Sequence, residues 1–169
     1  MSKVIISTDG ASQGNPGDAA IGVVITAEDG TVLCEIGEYI GKATNNVAEY
    51  SALVRGLQEA LKLGATQVEI STDSELMARQ IAGVYKVKSE LLKPLYEQAM
   101  TILRHFQSAK ISHVMREFNK RADELANEGI KKYKNSFKKK KPSQPVSITT
   151  DMETPEAPKT NQSQGELEF

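Results

Sequence analysis

The sequence of 169 residues has a single cysteine, Cys34. No internal disulfide can form, and a reducing compartment fits that usage. Cys34 falls in an alternating strand pattern and reads as a small buried hydrophobe. Histidine is scarce as well, with two in the chain: His113 falls inside a strand and His105 near a helix end, where ordinary structural roles are expected. No apolar run approaches the roughly 20 residues that span a bilayer, so no membrane partner is expected. The amino terminus runs straight into a strand without a basic and apolar leader, so the expectation is a cytoplasmic protein rather than a secreted one.

The charge is present but unevenly spread. Residues 1–130 carry 13 Lys and Arg against 17 Asp and Glu, residues 131–141 carry seven lysines and no acid, and residues 142–169 carry one Lys against five acids, for a net charge of −1. An acidic domain followed by a strongly basic segment gives phosphate a local attraction that the net charge conceals. From Pro142 onward, four prolines and many Ser, Thr and Gln leave too little apolar surface to offset ordering entropy. The expected organisation is one folded domain over 1–131 and a tail over 132–169, Lys-rich and then Pro/Ser/Thr-rich and acidic, that is disordered. A monomer is expected.

Along the domain, Val4–Thr8 reads as a buried strand ended by Asp9-Gly10. Gly14-Asn15-Pro16-Gly17 reads as a turn, Ala20–Thr26 as a second strand, Glu28-Asp29-Gly30 as a hairpin turn and Val32–Ile40 as a third strand. Val47, Tyr50, Val54, Leu57 and Leu61 then recur at helical spacing until Gly64. A strand around Val68–Ile70 is followed by helices over about Ser74–Ala82 and Ser89–Phe106. A fifth strand over Lys110–Met115 precedes a last helix from near Asn119 that carries Ala122, Leu125, Ala126 and Ile130. Strands joined by turns pair antiparallel and strands joined through helices pair parallel, which predicts an α/β fold with a five-stranded mixed sheet and helices on both faces.

Sites in such sheets form beyond the carboxyl ends of parallel strands. Asp9 follows the first strand and Asp73 the fourth; if those strands are neighbours, the two carboxylates lie side by side. Glu49, near the start of the long helix, and Asp123, in the first turns of the last one, can reach the same edge. Each has a plainer reading: Asp9 as a turn residue, Glu49 in a capping box with Asn46, Asp73 as a helix cap, Asp123 as a charge favoured by the helix dipole. Together they point to a bound cation, since four converging carboxylates cannot all ionise uncompensated. Oxygen donors without Cys or His favour Mg²⁺ or Mn²⁺, and two such ions form the arrangement that nucleases use.

Four segments carry a family resemblance. Thr8-Asp9-Gly10-Ala11-Ser12-Gln13-Gly14-Asn15-Pro16-Gly17, Thr44-Asn45-Asn46-Val47-Ala48-Glu49-Tyr50, Thr72-Asp73-Ser74-Glu75-Leu76 and Asn119-Lys120-Arg121-Ala122-Asp123-Glu124-Leu125-Ala126 resemble, in order and spacing, the motifs of type 1 ribonucleases H. The resemblance implies the ribonuclease H-like fold and hydrolysis of the RNA strand of RNA–DNA hybrids, leaving 5′-phosphate and 3′-hydroxyl ends. It implies Asp9, Glu49, Asp73 and Asp123 as the catalytic quartet holding two Mg²⁺ ions, with Mn²⁺ as an alternative. It further implies that Asn15, Asn45 and Asn46 contact 2′-hydroxyls and base edges, and that Thr44 helps hold a DNA phosphate. The 2′-hydroxyl is what separates RNA from DNA, and an amide can both donate to it and accept from it.

Two departures from the family pattern stand out. Met115-Arg116-Glu117-Phe118 occupies the stretch where many bacterial members carry a loop histidine; Arg116 is a candidate to bind the scissile phosphate and Glu117 to meet a metal, although such a pair is often only a surface ion pair. The basic handle that some members insert between the middle helices is missing, because Ala82–Lys88 joins those helices directly. Affinity would then rest on Lys131–Lys141, which otherwise reads as a solubilising linker. The terminal Gln164-Gly165-Glu166-Leu167-Glu168-Phe169 resembles the Gln-x-x-Leu-x-Phe peptide that docks bacterial replication proteins onto the sliding clamp, with Gln164, Leu167 and Phe169 as the contacts. Competing readings are a non-catalytic hybrid-binding module and an integrase-like strand transferase. Four crowded carboxylates serve no purpose in the first, and the second needs DNA-binding domains for which the chain is short.

Overall fold

The computed structural model describes residues 3–139. The Pro/Ser/Thr-rich segment and the terminal Gln164–Phe169 peptide lie outside them. In chain order the elements are β1 (Lys3–Gly14), β2 (Gly17–Ala27), β3 (Val32–Ala43), α1 (Asn45–Lys62), β4 (Gln67–Thr72), α2 (Glu75–Ile81), α3 (Lys93–Leu103), β5 (Ser108–His113) and α4 (Lys120–Lys139), with a 3₁₀ turn at Arg116–Phe118 before α4. The sheet order is β3-β2-β1-β4-β5. The β1–β2–β3 meander is antiparallel, while β4 and β5 run parallel to β1. The predicted mixed sheet with helices on both faces is the observed fold.

Alternation along β1 sorts its side chains between two layers. Val4, Ile6 and Thr8 are buried on the face covered by α1, where they join Val23, Leu53, Leu57 and Ile70 in the main core. A Cβ at Gly56 of α1 would stand 2.8 Å from Ile6 Cγ2, so the helix lies close against the strand. α1 starts where the sequence provides a cap: Thr44 Oγ1 accepts from the Val47 N–H at 3.2 Å. The Tyr50 hydroxyl donates to Gln80 Oε1 at 2.6 Å and ties α1 to α2 inside the core.

The opposite face is covered by α4. A Cβ at Gly22 would meet the Ala122 carbonyl oxygen at 1.8 Å, and one at Gly37 the Leu125 carbonyl oxygen at 2.4 Å. These side-chain-free positions on β2 and β3 let the helix backbone settle on the sheet, with Val24, Ala122 and Leu125 packed between.

Several boundaries differ from the sequence reading, among them those of β2, which begins at Gly17 rather than Ala20, and β3, which runs to Ala43 rather than Ile40. β1 does not stop at Asp9 but continues to Gly14, because Asp9–Gly14 keep antiparallel partners on β2. β5 ends at His113 rather than Met115. α3 begins at Lys93 rather than Ser89, with Pro94 in its first turn, the position where a missing N–H costs nothing. α4 runs to Lys139, eight residues past the Lys131 boundary expected from composition. A tertiary contact holds that extension: the Tyr133 ring stacks on Tyr39 of β3 with centroids 3.6 Å apart and planes 10° off parallel.

Candidate active site

Thr8 and Thr72 are the last paired residues of the parallel β1–β4 ladder. Asp9 and Asp73 come next on their strands, so the two carboxylates emerge side by side where β4 ends and β1 continues with only β2 beside it. This is the crevice at the carboxyl end of parallel strands. Glu49 reaches it from α1 across Gly10. A Cβ at Gly10 would lie 2.3 Å from both Ala48 C and Glu49 N, so a bare residue is required there. The Gly10 N–H also donates to the Glu49 carboxylate. Asp123 comes from the first turn of α4, whose start is fastened to β1 by Asn119 Nδ2 donating to the Thr8 carbonyl at 2.8 Å.

Ligand oxygens of Asp9, Glu49 and Asp73 lie within 4.8 Å of one another. Asp123 stands at the rim of the same cleft of about 260 Å³. Its Oδ1 receives Arg116 Nη2 at 3.4 Å, and Asn127 Nδ2 donates to its carbonyl at 3.0 Å. Asp9 and Glu49 are 4% and 5% exposed. Burial, followed by the charges of Glu49 and Asp73 and a bond with Asp123, pushes the Asp9 carboxyl up to about 10. Burial and the Asp73 charge push Glu49 up to about 8 against the bonds from Asp9 and the Gly10 N–H. Burial and mutual repulsion therefore favour the protonated form of Asp9 and Glu49 when no cation is bound.

The donor set fits a hard divalent cation. Glu49 Oε2 and Asp73 Oδ1 are buried with no hydrogen-bond partner, a costly arrangement unless something else satisfies them. The cluster contains carboxylates only, which suits Mg²⁺ or Mn²⁺ better than zinc. Asp9, Glu49 and Asp73 would hold the ion, with Asp123 in the lining of the same cleft.

The plainer readings of two carboxylates fail on geometry. Thr44, not Asn46, caps α1, and Ser74, not Asp73, caps α2 by accepting from the Met77 N–H. Asp123 does sit in the first turn of α4, so its dipole role holds alongside its place at the cleft. Among the other predicted residues, Asn45 and Arg116 line the cleft, and Asn15 Oδ1 accepts from the Asn45 N–H at 3.1 Å. Asn46 is exposed one position further along α1, and Glu117 is exposed on the 3₁₀ turn; neither lines the cleft. His105 and His113 are exposed, away from the cleft lining. Cys34 is half-buried against the core, and burial pushes its thiol upward. Sequence reasoning missed Asn127 and Ser12, both in the lining. Asn127 follows Asp123 by one helical turn, so the spacing alone carried the signal.

A five-stranded mixed sheet with an acidic crevice where the β1–β4 ladder ends defines the ribonuclease H-like class of domain. Residues 7–129 match the family described as reverse transcriptase-like. The chain belongs to the ribonuclease H family, and it sides with the type 1 members. Ribonuclease HI of Halobacterium salinarum is 43% identical over 122 residues, 72% of this chain and 61% of that protein. Ribonuclease H of Marinobacter nauticus is 32% identical, covering 76% of this chain and 95% of its own length. The bifunctional protein Rv2228c of Mycobacterium tuberculosis is 46% identical over 129 residues, yet the chain spans only 35% of it. Among solved structures, RNase H1 of Halobacterium salinarum NRC-1 superposes with a TM-score of 0.75 at 41% identity, covering 77% of this chain and 98% of that one. LC11-RNase H1 in complex with an RNA/DNA hybrid superposes with a TM-score of 0.74 at 47% identity, with the same coverage.

Proposed function

We propose that this protein is an endonuclease that hydrolyses the RNA strand of RNA–DNA hybrids with two divalent ions, Mg²⁺ or Mn²⁺, leaving 5′-phosphate and 3′-hydroxyl ends. The observation that carries the reading is the trio Asp9, Glu49 and Asp73, with buried, unpartnered oxygens on two of the three. The solved complex of LC11-RNase H1 with a hybrid supports the choice of substrate.

Bound divalent ions supply an activated water and stabilise charge on the phosphoryl and leaving oxygens. The chain's own residues do the rest. Asp9, Glu49 and Asp73 would hold the cations at the crevice, and Asp123 would close the set from α4. Arg116 at the rim presents a guanidinium to a phosphate. Asn15 spends its Oδ1 on the Asn45 N–H, which leaves its Nδ2 to donate to a 2′-hydroxyl. Thr44 Oγ1 accepts from the Val47 N–H, so its hydroxyl proton remains for a DNA phosphate. Asn46, exposed on the first turn of α1, completes the polar face that meets the minor groove. The terminal Gln164, Leu167 and Phe169 are proposed as anchors for a sliding clamp. Anisotropy of a labelled 155–169 peptide against purified clamp tests that separately, with Leu167→Ala/Phe169→Ala expected to abolish binding.

The primary test is cleavage of a hybrid labelled on the RNA strand, with and without Mg²⁺. RNA cleavage only with the ion, and with 3′-hydroxyl products, is expected. Binding without cleavage at any divalent ion concentration would leave a hybrid-binding module instead.

A further inference from the structure

Residues 131–139 of the lysine-rich segment continue α4, whose first turns line the cleft. Asp123 and Asn127 of α4 line that cleft. At 100° per residue, Lys131 and Lys134 fall within about 80° of Asp123 on the helix surface, and Lys132 falls on the opposite side. Lys134 therefore continues the edge of α4 that carries Asp123 and Asn127, and Lys131 stands about a quarter turn from it. About 16 Å of helix separates Asp123 from Lys134 at 1.5 Å per residue.

The contacts of the arm fix its course. Lys134 Nζ donates to Gln13 Oε1 on β1, two residues before Asn15 in the β1–β2 turn. Tyr133 stacks on Tyr39, and Phe137 packs edge-on against Tyr133 at 4.9 Å. The Tyr39 hydroxyl in turn donates to Asp18 Oδ1 at 2.9 Å, so the arm is joined to both sides of the turn. β1 has no β4 partner beyond Thr8. Its Asp9–Ser12 stretch forms the cleft floor between the start of α1 and α4, and Gln13 with Lys134 prolongs that channel. Lys131, Lys132 and Lys134 are exposed, and among the described residues none is in an ion pair.

We propose that Lys131 and Lys134 form a rail that holds the sugar–phosphate backbone of the hybrid where it leaves the cleft over the β1–β2 turn, taking the place of a basic handle between α2 and α3. The inference rests on the hybrid being the substrate. It departs from a flexible basic tail in one respect: position on the helix matters, and charge alone does not.

The experiment uses the full chain. Affinity for a fluorescent hybrid is measured in EDTA between 50 and 300 mM NaCl, alongside cleavage in Mg²⁺, for Lys131→Ala, Lys134→Ala, the double variant and Lys132→Ala. Each rail lysine is expected to lower the log–log salt slope by about 0.9 and the double variant by about 1.8. KM should rise several-fold with kcat unchanged, and Lys132→Ala should match the wild type. Equal losses for Lys132→Ala and the rail variants, or no loss for the double variant, would overturn the rail. A wild-type protein that neither binds nor cuts the hybrid would instead overturn the substrate reading.

Discussion

At the scale of single residues, the site crowds carboxylates whose mutual repulsion a cation would relieve. Asp73→Asn replaces a carboxylate that has a buried, unpartnered oxygen with a neutral amide of similar shape. Hybrid cleavage should fall below detection while the metal-free protein melts at or above the wild-type temperature, since one source of repulsion is gone. Near-wild-type cleavage by this variant would refute the metal assignment. Gly10→Ala acts differently. Its methyl would stand 2.3 Å from α1 backbone atoms that have no flexible end to give way. The helix must move, at about 1–3 kcal/mol for overpacking, and Glu49 moves with it. Denaturant unfolding should register that loss, with cleavage falling further than stability does.

At the scale of elements, α4 does two jobs along one length. Its first turns bring Asp123 to the crevice, and its last turns stand clear of the main core. The Tyr39–Tyr133 stack is what ties the second part down. Tyr133→Ala should cost about 1 kcal/mol of stacking beyond the lost area. Amide exchange over residues 131–139 should quicken by roughly fivefold by the same measure, while the amides of Ala122–Ile130 stay protected. Uniform exchange along the whole helix would show that the arm has no separate anchor. The β1–β2 turn is the second element for which we propose a function. If Asn15, braced on Asn45, reads 2′-hydroxyls, cleavage should require several consecutive ribonucleotides. Efficient cutting at a single ribonucleotide in duplex DNA would place recognition elsewhere.

At the scale of the whole molecule, the buried carboxyls couple stability to pH. Asp9 and Glu49 are raised from ordinary values of 3.8 and 4.5 to about 10 and about 8. Across that interval the folded state binds more protons than the unfolded one, so stability is full below about pH 4 and is lost as pH rises through 8 toward 10. The melting temperature in EDTA should fall steadily from pH 5 to 9. Saturating Mg²⁺ should flatten the fall, because the cation replaces the protons, and Asp9→Asn should flatten it without metal. The lowered carboxylates Asp18, Asp29, Glu35, Glu59 and Glu69 lie outside the cleft lining and act below this window.

Much of this was legible in the linear chain, because it depends on neighbours in sequence. Period-2 and period-3.6 patterns placed the strands and helices, strand–turn–strand and strand–helix–strand order dictated the mixed sheet, and the four acidic motifs singled out carboxylates that all line one cleft, three of them clustered. What lay beyond reach depended on partners distant in the chain. β1 runs past Asp9 only because β2 pairs with it, and Asp9 meets Asp73 only because β4 lies on the other side and stops at Thr72. The lysine segment reads as a solvated linker by composition, since seven like charges repel and nothing local holds them. It is helical to Lys139 because Tyr133 finds Tyr39, 94 positions earlier in the chain, and apolar ring contact at that distance in sequence exists only once the sheet has formed.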